Sequence, residues 1–162
     1  VNMSNTSAHA LLKDIWGDRK FPVDPVWIAN ELGLDVVETT LDDDVSGALL
    51  KEPEQDPVII LNRNDSNVRK RFTCAHELGH YVKRTENGQP LEYEFVDYRG
   101  KLASQGVDSE EIFANNFAAC LLMPEKEVRR LNNAGYAPVM MASYFGVSDD
   151  AIRYRLKNLG LR

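Results

Sequence analysis

Apolar side chains recur every three or four residues along several stretches of the chain, which is the spacing of helices that pack one face against a core. The longest stretch runs from capping residues at 62–66 to about Arg84. Gly79, near its middle, costs a helix about 1 kcal/mol relative to alanine, so we expect another segment to approach it closely. Shorter helices are predicted over residues 8–16 and 24–33, the second opened by a capping aspartate and a proline.

Between residues 34 and 61 the pattern changes to short runs rich in branched aliphatic side chains. These runs predict strands over residues 34–39, 45–50 and 58–61. A weaker alternation of Leu91, Tyr93 and Phe95 with glutamates predicts a fourth strand, and residues 100–106 read as a loop. Three strands followed by a long helix, then further helices, indicate an α+β fold.

Helical spacing returns in the second half of the chain. Asp108 and Ser109 supply a cap for a helix that continues to Pro124. Residues 138–159 then have the spacing of a helix-turn-helix, but Asp149 and Asp150 fall in the first turn of its second helix, where they would face DNA phosphates. We therefore expect this pair of helices to pack on the rest of the domain or to dock a protein, with DNA binding as the alternative.

Composition is that of one globular domain over residues 1–162, with 43% hydrophobic and 27% charged residues. No apolar run is as long as a membrane span, and the first residues lack the pattern of a signal peptide, so we expect a cytoplasmic protein with no membrane contact. The formal net charge of −6 argues against direct binding of nucleic acid. Cys74 and Cys120 both fall in apolar helical patterns, and we expect neither a disulfide nor a catalytic thiol.

The long helix carries the chemistry that is easiest to interpret, the run His76-Glu77-Leu78-Gly79-His80. Residues four apart lie on the same face of a helix, so His76 and His80 can aim ring nitrogens at one cation. Zinc bound by three protein ligands keeps a position open for water and lowers the pKa of that water. Glu77, rotated by about 100° from His76, would lie beside the metal and act as the general base. The alternative to a metal site is a buried helix in which the four-residue spacing of the two histidines has no function.

A third ligand must come from elsewhere, because the chain has only three histidines and His9 lies off the apolar face of its helix. Glu110 and Glu111, at the start of the helix that follows Asp108, are the candidates for a two-histidine, one-glutamate zinc site. Glu111 is favoured, because it heads a series of small residues that let two helices approach closely. Asn115, one turn later, could accept a hydrogen bond from the second ring nitrogen of a zinc histidine.

At this point the sequence resembles the ImmA/IrrE family of zinc metallopeptidases. The resemblance rests on the His-Glu-Leu-Gly-His run and on Glu-Ile-Phe-Ala-Asn-Asn-Phe-Ala-Ala-Cys-Leu-Leu-Met-Pro over residues 111–124. It implies that His76, His80 and Glu111 hold one zinc ion per chain and that Glu77 is the catalytic base. It also implies a partner, because family members cleave or inactivate helix-turn-helix repressors of phage, mobile-element or stress genes.

The sequence therefore predicts a zincin-like fold of the gluzincin type, with a small sheet packed on the zinc helix. We expect a zinc-dependent endopeptidase that cleaves or inactivates a helix-turn-helix transcriptional repressor. Two alternatives remain open, a zinc-stabilised antirepressor that binds its partner without cutting it, and a DNA-binding regulator that uses residues 138–159. An oxyanion donor is also expected, and the sequence does not rank its four candidates, which are Tyr93, Tyr98, Tyr136 and Tyr144.

Overall fold

The computed structural model of the protein describes residues 3–86, 88, 92–98 and 108–162. Within these residues the helices are α1 (Met3–Leu11, continued by a π-helical turn at Leu12–Trp16), α2 (Pro25–Glu31), α3 (Asn67–Glu86), α4 (Ser109–Leu122), α5 (Glu125–Asn133), α6 (Pro138–Phe145) and α7 (Asp149–Asn158). The strands are β1 (Asp35–Thr39), β2 (Val45–Lys51), β3 (Val58–Asn62) and β4 (Tyr93–Tyr98). The α+β class predicted from the sequence is confirmed.

The four strands form one small mixed sheet in the order β1-β3-β2-β4. β1 runs parallel to β3, whereas β2 is antiparallel to both β3 and β4. An irregularity between Val45 and Gly47 shifts the register of β2 against β4, so that Gly47 pairs with Asp97. β4 therefore lies at the edge of the sheet, next to the strand that packs on α3.

α3 is buried between the sheet and α4, and a glycine permits the close approach on each side. A Cβ atom on Gly47 would lie 2.7 Å from Cγ2 of Thr73 in α3, and one on Gly79 would lie 3.0 Å from Cα of Ala114 in α4. Contacts this short leave no room for a methyl group. The close approach expected at Gly79 is confirmed, and it brings α4 against the face of α3 that carries the histidines.

The predicted element positions agree with the structure to within a few residues for α2, α3, α4 and β1 to β3. The first helix begins at Met3 rather than residue 8, because its early turns bury Ser4, Ser7 and Ala8, small residues that give no apolar pattern. α5 was not predicted as a separate helix. β4 extends to Tyr98, while Leu91 and residues 100–106 lie outside the described residues.

The two C-terminal helices predicted over residues 138–159 are present, and a buried arginine ties the second of them to the rest of the molecule. Gly146 ends α6 in the left-handed conformation at φ 66°, and the Ser148 hydroxyl accepts a hydrogen bond from the Ala151 amide to cap α7. Arg155 of α7 donates from Nε to the carbonyl of Met123 at 3.0 Å, in a buried position. α6 and α7 therefore share the core of the molecule.

Three further expectations concern single features. Cys74 and Cys120 are both free and buried, and His9 is exposed on α1. Across the described ranges, no helix has the length and apolar content needed to cross a membrane.

Candidate metal centre

The two histidines and the glutamate of the motif lie in the most deeply buried part of α3. The helix begins just after Ser66, whose hydroxyl accepts a hydrogen bond from the Arg69 amide. The eight consecutive residues 73–80 are all buried, since the sheet covers one side of α3 and α4 covers the other. His76 and His80 are each 1% exposed and Glu77 is fully buried.

Glu111 reaches both histidines from α4. Its position in the first turn of that helix is set by Asp108, whose side chain accepts hydrogen bonds from the amides of Glu110 and Glu111. The Glu111 Oε1 atom lies 2.8 Å from Nε2 of His80, and Oε2 lies 3.1 Å from Nε2 of His76. One carboxylate thus spans the two imidazoles across the α3–α4 contact.

The ring nitrogens of these histidines are buried and available to bind a metal. Despite the short distances to Glu111, all four ring nitrogens are buried and lack a hydrogen bond of acceptable geometry to any described residue. Two ligands about 2.0–2.1 Å from one tetrahedral zinc ion would be roughly 3.3 Å apart, which is close to the separations observed here. Two imidazole nitrogens and a carboxylate are also a usual zinc donor set, so these residues fit the metal.

Both Glu77 and Glu111 are near enough to the histidines to be considered as the third metal ligand. The ligand atoms of His76, Glu77 and His80 all lie within 4.8 Å of one another. However, Oε1 of Glu77 is 3.8 Å from Nε2 of His76, whereas Glu111 is closer and approaches both rings. This geometry favours Glu111 as the ligand and leaves Glu77 beside the site.

Glu77 lies in an environment that disfavours its charged form. Burial raises the pKa of its carboxyl well above the usual range, and the nearby carboxylates of Asp97 and Glu111 raise it further. Both carboxylate oxygens lack a hydrogen-bond partner among the described residues. A buried carboxyl with a raised affinity for protons, beside two histidines that could hold a metal, is a candidate for a general base.

Glu111 shows the opposite electrostatic behaviour. Partial burial alone would raise the pKa of its carboxyl, but the contacts with His76 and His80 outweigh burial and hold that pKa well below its ordinary value. The direction of this shift favours the ionised form of the carboxyl, which is the form that a metal ligand needs. The pKa values of the two glutamates are therefore shifted in opposite directions, upward for Glu77 and downward for Glu111.

The structure places the two remaining candidates for the site at its margin. Glu110 turns to the far side of the His80 ring, with Oε2 3.8 Å from Nδ1 of His80 and Oε1 3.2 Å from a guanidinium nitrogen of Arg84. Asn115 is half-buried on α4, and the hydrogen bond that we expected from it is not formed, because neither Nδ1 atom has a partner within the described part of the chain. The role of Asn115 therefore stays a prediction.

β4 supplies two residues that the sequence reasoning missed. The Phe95 ring stacks on the His80 imidazole, with centroids 4.1 Å apart and planes 13° from parallel. Asp97 is only 4% exposed, and burial raises the pKa of its carboxyl while the neighbouring His76 opposes that rise. The alternation of β4 places Asp97 on the same face as Tyr93 and Phe95, but it does not show that this face meets α3.

The candidate oxyanion donors are now separated by position. Tyr93 and Tyr98 lie on β4, although Tyr98 belongs to the face opposite Asp97. Tyr144 donates its hydroxyl to Oε1 of Glu127 at 2.8 Å and stacks on Phe21, both outside the metal centre. Tyr136 is 41% exposed between α5 and α6.

A helix that presents two histidines one turn apart with a glutamate between them, facing a carboxylate from a second helix, is typical of metallopeptidases. A comparison with protein families matches residues 29–157 to the IrrE N-terminal-like domain, Peptidase_M78. The match covers most of the chain, so the protein belongs to this family, which confirms the resemblance to ImmA/IrrE proteins. Its fold is accordingly that of a metallopeptidase family.

Two proteins illustrate the similarity of this chain to known ones. Immunity region protein 2 of Bacillus phage phi105 is 27% identical over 112 residues, which are 69% of this chain and 66% of that protein. A solved structure of a Mycobacterium tuberculosis transcriptional regulator has the same fold, with a TM-score of 0.62 and 18% identity over 96% of this chain. This chain spans 47% of that structure.

Proposed function

We propose that this protein is a zinc-dependent endopeptidase that cuts a helix-turn-helix transcriptional repressor. The observation that carries the proposal is the placement of a fully buried Glu77 beside two histidines whose ring nitrogens have no hydrogen-bond partner among the described residues. A metal-binding site without catalysis needs His76, His80 and Glu111, but it has no need of a buried carboxylate that is not a ligand. The zincin-like architecture predicted from the sequence is part of this proposal.

The role proposed for each residue follows from its surroundings. His76, His80 and Glu111 would hold one zinc ion, and zinc supplies a polarised water and a Lewis acid for the peptide carbonyl when it is bound. Glu77 accepts the proton of the attacking water and later delivers it to the leaving amine. Burial raises the pKa of this carboxyl, which increases its affinity for the proton that it takes from the water.

The choice of substrate rests on family membership and on charge. The matched phage protein is named for an immunity region, and the structural neighbour is named as a transcriptional regulator. A net charge of −6 favours encounter with a basic DNA-binding protein, affecting the association rate more than the affinity. The cut would fall in a linker or frayed segment of the repressor, since extended backbone is what a protease cleft accepts.

Direct DNA binding through α6 and α7 is less favoured by the side chains of α7. Arg155 is buried and bonded to a backbone carbonyl, and Arg153 is paired with Asp149 at 2.7 Å. Asp149 and Asp150 lie at the exposed N-terminal end of the helix. Few basic groups of this helix are therefore free to contact phosphates.

The test is to incubate the purified full chain and zinc with the repressor encoded next to it, and to separate the products by mass. We expect discrete fragments that a chelator abolishes and that added zinc restores. The Glu77→Gln variant is the matched control, since it keeps the shape of the side chain and removes the proton acceptor.

Other outcomes of this experiment would support one of the alternative functions. Stable binding without cleavage, under every metal condition, would indicate the antirepressor that sequesters its partner. Neither binding nor cleavage would remove the repressor as the partner. A salt-dependent gel shift with DNA would instead support a regulator that uses residues 138–159.

A further inference from the structure

The imidazole of His80 differs from that of His76 in having an aromatic ring stacked on it. The Phe95 ring lies nearly parallel to the His80 ring, with centroids 4.1 Å apart and planes 13° from parallel. The two imidazoles meet edge-on, at an interplanar angle of 84° and a centroid distance of 4.9 Å. Among the described residues no ring lies parallel to that of His76, so stacking sets the plane of only one of the two rings.

Hydrogen bonds do not fix the plane of the His80 ring. The torsion that turns an imidazole about its Cβ–Cγ bond has broad minima, and a hydrogen bond from the ring usually restricts it. Here both ring nitrogens of His80 lack a hydrogen bond of acceptable geometry to any described residue. Oε2 of Glu110 is 3.8 Å from Nδ1, which is too long for a hydrogen bond. The stacking on Phe95 is therefore the contact that restrains the plane.

Phe95 is itself fixed by the sheet and by α3. It pairs with Leu49 of β2, which is fully buried, and paired residues of antiparallel strands project to the same face. The guanidinium carbon of Arg84 lies 4.9 Å from the centroid of the Phe95 ring, in the range of a cation–π contact. A guanidinium nitrogen of Arg84 also lies 3.2 Å from Oε1 of Glu110, which ties this end of α3 to α4. The Phe95 ring can therefore act as a fixed surface for His80.

The plane of the His80 ring decides where its nitrogen points, because a metal binds an imidazole nitrogen in the plane of the ring. In the observed plane, Nε2 of His80 lies 2.8 Å from Oε1 of Glu111. Nε2 of His76 faces the other oxygen of the same carboxylate. Rotation of the His80 ring would carry its Nε2 away from this convergence. Ligands that are already oriented bind a metal without the cost of ordering them.

We propose that Phe95 is a positioning residue of the metal centre, which stacks on His80 and so keeps Nε2 of that ring directed at the metal site. The inference deepens the proposed function, since it rests on the zinc site. Without the aromatic face, the His80 ring would populate other orientations, and the apparent metal affinity would fall with the fraction that stays competent. The energy of one stacked aromatic pair corresponds to a change of about two- to tenfold.

The test compares three variants of β4 in the full chain. Phe95→Leu keeps an apolar side chain but removes the flat face, Phe95→Tyr keeps the ring, and Val96→Ala is a truncation on the exposed opposite face of the strand. Zinc affinity is measured by competition with a chromophoric chelator, so that proteolysis does not enter the result. We expect Phe95→Leu to bind zinc about two- to tenfold more weakly, and Phe95→Tyr and Val96→Ala to match the wild type. Wild-type affinity in Phe95→Leu, or an equal loss in Phe95→Tyr, would overturn the assignment.

A second measurement follows the rings themselves and does not depend on zinc. Ring-selective ¹³C relaxation of the metal-free proteins reports how freely each imidazole moves. We expect the His80 ring to be as ordered as the backbone in the wild type and in Phe95→Tyr, and to become mobile in Phe95→Leu, while the His76 ring stays unchanged as the internal reference. A mobile His80 ring in the wild type, or equal mobilisation of both rings in Phe95→Leu, would overturn the role of Phe95.

The two proposals fail in different ways. A wild-type protein that does not bind zinc would remove the metal centre and the role of Phe95 together. Zinc binding without proteolysis would count only against the endopeptidase.

Discussion

Two regions of the molecule treat their buried polar groups in opposite ways. Around the motif of α3, His76, Glu77 and His80 are buried with no hydrogen bonds to the described residues. At the C-terminal helices, Arg155 is nearly as buried but donates to the Met123 carbonyl, and the Arg71 guanidinium donates to the carbonyls of Val23, Phe145 and Gly146. Satisfied buried groups hold an architecture together, whereas unsatisfied ones are retained for a ligand or a reaction.

The contrast makes different predictions for the two regions. Substitution at the metal centre should change metal binding or chemistry at little cost in folding. Substitution among the satisfied groups should lower the free energy of unfolding and leave the metal affinity unchanged.

The largest effect is expected for Glu77→Gln. Loss of a general base typically slows a reaction by about a hundredfold to ten-thousandfold. The free energy of unfolding of the metal-free protein should stay the same or increase, because a neutral amide is less costly to bury than a carboxylate. Repressor cleavage, zinc content and urea denaturation give the three readouts, and cleavage at the wild-type rate would show that Glu77 is not the base.

A smaller effect is expected when the candidate ligand and its neighbour are compared. Glu111→Ala removes the carboxylate that lies near both histidines and should weaken zinc binding by more than about a hundredfold, above the usual cost of losing an outer contact. Glu110→Ala removes a side chain that approaches only the outer nitrogen of His80 and should cost less. Elemental analysis after dialysis measures both, and equal zinc contents would contradict the choice of Glu111.

In the C-terminal region, Arg155→Met should destabilise the fold without touching the metal. It keeps the length of the side chain but leaves the Met123 carbonyl unpaired, at a cost of roughly 1–3 kcal/mol. Urea denaturation of the metal-free protein is the measurement, with Arg153→Met as the exposed control on the same helix. A loss of zinc affinity in Arg155→Met would show that the two regions are coupled and would weaken the comparison.

The smallest effect is expected for Asp149→Asn. The exposed ion pair between Asp149 and Arg153 is of a kind that contributes about 0.3–0.5 kcal/mol. The change in unfolding free energy should therefore lie within about 0.5 kcal/mol and shrink at high salt. A larger destabilisation would mean that this surface is less independent than its exposure suggests.

Much of this fold could be predicted from the sequence, because most helices and strands have a local pattern of apolar and capping residues. The apolar face of α3 and the capped start of α2 can be recognised without knowing any tertiary contact. The order of the strands could not be read in this way, since β3 pairs with β1 and β2 on opposite edges and only long-range contacts decide that. α5 was missed because its buried apolar residues are only Val128 and Leu131, among charged neighbours.

The same division holds for the site. Helical geometry alone predicts that His76 and His80 face one point with Glu77 beside them. Glu111 is predicted by considering which helix could pack on α3. Asp97 was missed because it comes from a strand, and strand-to-helix register is not encoded in any spacing along the chain. Its position is visible only once Gly47 and Phe95 are located in space.

The alignment of β4 with α3 also limits which insertions and deletions this chain can accept. A shift of β4 by one residue would turn Phe95 and Asp97 outward and bring Glu94 and Val96 against the histidines. The stacking of Phe95 on His80 and the burial of Asp97 would be lost together, because both side chains lie on the same face of one strand. Length changes should therefore be excluded from residues 93–98, and their tolerance elsewhere in the sheet should depend on whether they preserve the bulge before Gly47.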